Sequence, residues 1–191
     1  MTVITGTEVT REVIEAQKPD VVILAVGAKR PEPVASTGTP VVSVEDVLGA
    51  KLGERVVVLG SNCQAVDAAL YLMDQGKQVT IVTPSPKAAF EKRHSGNVRG
   101  FVETAIKAAG TRVWSGVTGL TVGESGVSFV SEAGFAIDVA CDDVVDASDC
   151  LPNTALTDGL EGVTVIPVGD CKAPYNIAAA ISDGNLAARG I

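Results

Sequence analysis

The sequence predicts an α/β protein in which one strand–helix–strand unit is inserted into another and carries an antiparallel β-meander. Three observations predict it. First, apolar β-branched runs end in glycine or in a short polar turn: "DVVILAVGA" over 20–28, "ERVVVLG" over 54–60 and "DDVVDAS" over 142–148. Runs of this kind fit parallel strands covered on both faces. Second, segments of helical period alternate with them. Third, the outer pieces, about 1–30 and 150–191, read as one layer and the middle as another. The 191 residues suffice for one large or two small domains, and 46% hydrophobic with 20% charged residues is ordinary for a globular chain. Twenty glycines and only 4% aromatic residues point to tight turns around an Ala/Val core.

Residues 2–5, "TVIT", read as a first strand. Thr10 can N-cap a short helix, with Glu12 and Glu15 placed favourably against its dipole. The run over 20–28 is the next strand, and Pro31, Pro33 and Pro40 mark an extended crossover over about 29–42. The middle begins with the strand over 54–60, a helix over 63–75 and the strand "KQVTIVTP" over 77–84, with Gly76 where a C-cap glycine belongs. A helix over 97–109 and the strand "TRVWSGV" follow. "GLTVG", "GVSFVSEAG" and "FAIDVA" alternate as meander strands do, with turns at Gly126 and Gly134. After the strand over 142–148, the tail gives a strand, a Gly-Asp turn, a loop with Pro174 and a helix over about 176–189. The expected domains are 1–42 with 146–191, and 43–145.

A formal charge of −8 argues against a nucleic-acid partner, because neutralising phosphates takes a basic stripe. Apolar runs such as 21–26 are too short to span a bilayer, so no membrane partner is expected. No export leader is read, and the expectation is a cytoplasmic protein. Cys63, Cys141, Cys150 and Cys171 show neither CxxC pairing nor metal spacing, which reads as four reduced, mostly packed thiols. His94, the one histidine, reads as an exposed loop residue.

The stretch "VVVLGSNCQAVDAAL" over 56–70 has the layout of a dinucleotide site, in which G-x-G-x-x-G follows a strand and opens a helix. Gly60 keeps the tight turn. The second glycine, which lets backbone approach pyrophosphate, is Asn62, and the third, which permits close helix–strand packing, is Ala65. Gly60, Ser61, Asn62, Cys63 and Ala65 are the candidate cofactor-binding residues of this turn, since a helix N-terminus attracts anions. Asn62 is expected to fill space a phosphate would use, while offering an amide donor. Retained binding of a nicotinamide dinucleotide, NAD(P)H, and a scaffold that has outlived its ligand both remain open. After the next strand no acid stands ready for a ribose 2′-hydroxyl before Glu91. Thr83, Ser85 and Lys87, with Lys92 and Arg93 nearby, fit a 2′-phosphate better, against a bland reading as a solvated loop.

"ILAVGAKRP", "GKQVTIV" and "VGDCKAPYNIAAAISDGNLAAR" in this order resemble the C-terminal part of the 2,4-dienoyl-CoA reductase and trimethylamine dehydrogenase family of NADH:flavin oxidoreductases. The resemblance covers essentially the whole chain. It implies a three-layer Rossmann-like NAD(P)-binding domain inserted into a truncated FAD-binding domain. It also implies that Gly169 and Asp170 form the turn against FAD, that Asn176 and Ile177 open a helix aimed at the flavin, and that Ala25 and Gly27 line the same cofactor. Family members carry, upstream, a flavin-bearing barrel and a first ADP-binding unit. The expectation is a fragment or subunit, inactive alone, whose partners are a nicotinamide dinucleotide and that missing barrel domain or subunit; a homo-oligomer is compatible. Ser148 and Asp149 stand where relatives carry a glycine, and the trimethylamine dehydrogenase branch does not use NADPH. The alternative is therefore a degenerate, non-catalytic adenine-nucleotide-binding or docking domain. No side chain is expected to be catalytic, and no metal is expected.

Overall fold

The computed structural model describes residues 2–87, 90, 96–156, 160 and 162–191. Its strands are β1 (Val21–Leu24), β2 (Ala28–Lys29), β3 (Val41–Ser43), β4 (Arg55–Leu59), β5 (Gln78–Val82) and β6 (Arg112–Trp114). They continue as β7 (Thr118–Val122), β8 (Gly126–Val130), β9 (Ala136–Ala140), β10 (Asp143–Asp146), β11 (Leu151–Pro152) and β12 (Thr164–Pro167). The helices are α1 (Arg11–Gln17), α2 (Cys63–Asp74), α3 (Gly96–Ala108) and α4 (Ile177–Arg189). The chain divides into two compact units, Pro31–Asp149 and Met1–Arg30 with Cys150–Ile191.

The unit Pro31–Asp149 is built on a parallel five-stranded sheet of order β3-β10-β4-β5-β6. Successive side chains of a strand point to opposite faces, and both faces here are covered. Val56, Val58, Val79, Ile81 and Val145 pack against Ala65, Val66, Ala69 and Leu72 of α2 and Val102 and Ile106 of α3. Val57, Leu59, Val82 and Val144 pack instead against Val122, Val127 and Phe129 of the antiparallel meander β7-β8-β9. That is why "RVVVL" reads as a continuous apolar run: alternate valines serve two cores. Each fully buried valine contributes roughly 1.5–3 kcal/mol relative to exposure. Phe129 also meets Trp114 edge to face, with ring centroids 5.5 Å apart.

Local chemistry fixes the ends of α2. Asn62 caps its start. At its end Gly76, at φ +76°, donates to the Met73 carbonyl (2.9 Å) while Lys77 N–H donates to Leu72 (3.0 Å). This is the paired closure of a left-handed C-cap, which the sequence placed at the same glycine. At the other end of the sheet Arg55 binds Asp142 (2.6 Å), and Asp143 accepts from Gly53 N–H (2.6 Å). The extended stretch expected over 29–42 gives way at Val41, where β3 adds an edge strand to β10. Three residues proved too short for a period-based reading.

The unit Met1–Arg30 with Cys150–Ile191 is thinner. β1 and β12 form a two-stranded parallel sheet, β2 and β11 a two-stranded antiparallel one. α1 starts after Thr10, whose hydroxyl accepts from Val13 N–H (3.4 Å). The strand expected over 2–5 does not form: Val3 and Ile4 are exposed, and no strand pairs with them. β1 is parallel as expected, but it is not covered on both faces, since only Leu24 of it is buried. α4 buries none of its residues. His94, with Glu91, Lys92 and Arg93, lies outside the described residues. Among the described residues no helix is long and apolar enough to cross a membrane.

Candidate nucleotide crevice

In the order β3-β10-β4-β5-β6 the chain leaves β4 toward β5 on one side, while β10 flanks β4 on the other. Open α/β sheets bind ligands outside the carboxyl ends of the strands at such a switch point. The ends of β4 and β10 therefore frame the candidate crevice, and Gly60, Ser61, Asn62, Cys63 and Ala65 all lie on the β4–α2 turn.

Gly60 sits at φ +127°, and its N–H donates to the Val82 carbonyl (3.0 Å). A side chain there would stand on the carbonyl oxygen of Ala147 and 3.2 Å from the Ala65 methyl. Glycine is required, and alanine at 65 is small enough for the close approach of helix and strand. Asn62 is the N-cap residue of α2. Its side chain turns inward and is 6% exposed. Its Oδ1 accepts from Ala65 N–H (2.9 Å), and its Nδ2 donates to the Ala147 carbonyl (2.8 Å) and to Asp149 Oδ1 (2.9 Å). One amide thus caps α2 and bridges to the end of β10, with both of its hydrogens engaged. The amide donor that could meet a phosphate is engaged by the Ala147 carbonyl and Asp149, while the amide oxygen satisfies an orphan N–H of α2.

The β10 end is equally tied down. Asp146, 4% exposed, accepts from Ser148 N–H and from Val34 N–H, each at 3.0 Å. Sequence reasoning passed over Asp146 and Ala147. The signal was present in "DAS", since an aspartate two residues before a serine at a strand end is a ready Asx turn.

Beyond β5, Thr83 is buried, and its hydroxyl accepts from Ser85 N–H (3.1 Å). It organises the loop and does not face solvent. Ser85 accepts from Gly116 N–H through its carbonyl (2.8 Å), and Lys87 is exposed. In the other unit, Ala25 and Gly27 follow β1, with Gly27 at φ +74°. Gly169, at φ +59°, begins the turn after β12, and a methyl there would lie 3.0 Å from the Ala180 methyl. Asp170 Oδ1 accepts from Tyr175 N–H (3.1 Å), and Asn176 caps α4 by accepting from Ala179 N–H (2.9 Å). Ile177 is 80% exposed.

The cysteines are all free thiols: Cys141 and Cys171 are buried, Cys63 and Cys150 half-buried. Burial pushes the Cys141 thiol up to about 11, so it is a protonated core group. Among the described residues no group of His, Cys, Asp or Glu is arranged to hold a metal ion.

No protein-family model matches the chain, and no curated protein is significantly similar to it. Solved structures are similar. A 2-naphthoyl-CoA reductase in complex with 2-naphthoyl-CoA aligns over 93% of the chain at 28% identity and a TM-score of 0.71. Histamine dehydrogenase from Rhizobium sp. 4-9 aligns over 97% at 20% identity and a TM-score of 0.76. A HOCl-induced flavoprotein disulfide reductase from Escherichia coli aligns over 88% at 19% identity and a TM-score of 0.59. The chain spans 28%, 32% and 44% of the lengths of these three proteins. The likeness shows a fold shared with flavoprotein oxidoreductases.

Proposed function

We propose that the chain is a module of an NAD(P)H-dependent flavin oxidoreductase, and that its middle unit acts there as a docking and architectural domain from which the nicotinamide dinucleotide is excluded. One observation carries this reading: the Asn62 amide spans the crevice between the ends of β4 and β10, bonded to Ala147 and Asp149. A pyrophosphate needs backbone N–H groups within reach at the second glycine position. Here that position holds a buried, fully engaged side chain, with a carboxylate at the crevice rim. The residues present do not fit a diphosphate.

The competing reading is an active module that orients NAD(P)H against FAD for hydride and electron transfer, with the redox chemistry supplied by the cofactors. The retained Gly60 turn favours it. In either case FAD would lie against the Gly27 and Gly169 turns, and only when a further polypeptide completes that unit. The exposed Ile177 and Ile181 of α4, the bare β1-β12 pair, and the share of its relatives that the chain spans support such a partner, one bearing the flavin barrel.

Thermal unfolding with NADH, which carries a diphosphate but no phosphate monoester, tests the two readings. A ligand at a hundred times its Kd stabilises by about 2.7 kcal/mol. The wild-type chain is expected to show no such shift, and the double variant Asn62→Gly/Asp149→Gly to gain one. A shift of this size in the wild type would establish the active reading instead.

A further inference from the structure

A second cleft lies away from the crevice, on the edge of the same sheet. It measures about 510 Å3 and is lined by residues of α3, by Thr111, Val113 and Ser115 in and around β6, and by Lys87 and Phe90. That size falls within the usual range of small-molecule pockets, about 300–1,000 Å3. Its apolar wall is Ile106, Val113 and Phe90, and its polar groups include Lys87, Arg99 and Lys107. In a chain of formal charge −8, Lys87, Arg99 and Lys107 meet around one small cavity, opposed among the described lining residues by the carboxylate of Glu103.

Their pairing is incomplete. Arg99 reaches Glu103 through Nη2 at 4.0 Å, the outer limit of an ion pair. The Nε of Arg99 is buried and has no hydrogen-bond partner. A buried donor without a partner is uncommon, and an unseen ligand is one standard reason for it. Lys107 stands four residues after Glu103, the favourable spacing and direction for a helical pair, and makes none. Neither Lys107 nor Lys87 has a side-chain partner among the described residues. Among the described lining residues, cations outnumber carboxylates three to one, beside an apolar wall.

We propose that this cleft binds a phosphate monoester carried on an apolar or aromatic body, the dianion held by Lys87, Arg99 and Lys107 and the body laid on Ile106 and Val113. The site is independent of the β4–β10 crevice, so its ligand need not be a dinucleotide. The phosphate is that of a 2′- or a 5′-phosphorylated nucleoside.

Titration of the full chain with 2′-AMP, 5′-AMP, adenosine and inorganic phosphate, followed by calorimetry and amide NMR, tests this. Saturable binding of at least one nucleoside monophosphate is expected, with shifts at Ile106, Val113 and Ser115, and adenosine is expected to bind far more weakly. The preference between 2′-AMP and 5′-AMP identifies the source of the phosphate, and binding of inorganic phosphate alone would remove the apolar body from the proposal. Arg99→Gln and Lys107→Gln should each weaken the nucleotide about tenfold, the equivalent of about 1.4 kcal/mol. Lys107→Arg should retain affinity, which separates loss of charge from loss of fold. Absence of saturable binding, unchanged affinity in both glutamine variants, or shifts confined to Gly60 and Asn62 would each overturn the assignment. The last result would also reopen the crevice, whereas the first two leave its closure untouched.

Discussion

β4 and β1 are written alike and end up differently. "RVVVL" and "VVIL" are both short β-branched runs in parallel pairs. Val56, Val57, Val58 and Leu59 are 0–3% exposed, while in β1 Ile23 is 37% exposed and only Leu24 is buried. The strands themselves do not account for this. β4 has neighbours on both edges, two helices on one face and a meander on the other. Among the described residues β1 pairs with β12 alone, within a unit whose α4 has no buried residue. An apolar run states what a strand needs; whether the need is met depends on elements elsewhere in the chain. The sheet of the middle unit is covered on both faces, and the outer unit leaves Ile23, Val26, Ile177 and Ile181 exposed.

The sharpest way to probe that contrast is Gly60→Ala. The substitution combines φ +127° with a methyl on the Ala147 carbonyl, and should cost about 3 kcal/mol or more. Urea unfolding of the middle unit, followed by the fluorescence of Trp114, measures it. A cost under 1 kcal/mol would mean that the β4 and β10 ends are not locked together. Matched truncations come next. Val58→Ala should cost about 2–3 kcal/mol, and Ile23→Ala under about 1 kcal/mol. Equal costs would erase the distinction between the two sheets.

Asn62→Ala follows at about 2 kcal/mol, from a lost cap and an Ala147 carbonyl left without its donor. Asn62→Asp refines it. The carboxylate still caps α2 but donates nothing and faces Asp149, so most of the loss should remain. If Asn62→Asp instead matches the wild type in thermal unfolding, the bridge across the crevice contributes little and the cap carries the residue's value.

How much of this was legible in the sequence follows the same division. α2, its C-cap at Gly76, the meander and the parallel run of β4 could be read because local pattern and tertiary cover agree there. The strand over 2–5 could not, because propensity is local and partnership is not. β3 was invisible for the opposite reason: three residues after Pro40 become a strand only because β10 runs beside them. At the crevice, composition revealed that Asn62 replaces a glycine. The direction of its side chain depended on Ala147 and Asp149, more than eighty residues away. The cationic cleft was half visible, since Lys87 was singled out and Arg99 and Lys107 on α3 were not. Helical surface charge looks the same in sequence whether or not a cavity lies beneath it.

The smallest predicted effect concerns the opposite end of β4, where the sheet is pinned by charge rather than by packing. The hydrogen bond from Arg55 Nη2 (2.6 Å), together with the Arg55 N–H (2.8 Å), holds the Asp142 carboxyl down to about 2 from its usual 3.8. A carboxyl with a depressed folded-state pKa stabilises the native state above its unfolded value, and this contribution disappears as pH falls through the folded one. The pair should therefore contribute throughout neutral pH and be lost between about pH 4 and pH 2. Both groups are partly exposed, at 49% and 34%, so solvent screens the interaction and the neutral-pH effect of Arg55→Gln should be slight. What changes is the shape of the acid limb. Without its partner Asp142 returns toward the ordinary carboxylate range, and Tm should fall less steeply between pH 4 and pH 2 in the variant than in the wild type. Parallel curves would show that the N-terminal end of β4 is held by the Asp143–Gly53 bond and the surrounding core alone, and that charge has no part in fixing the better-covered of the two units.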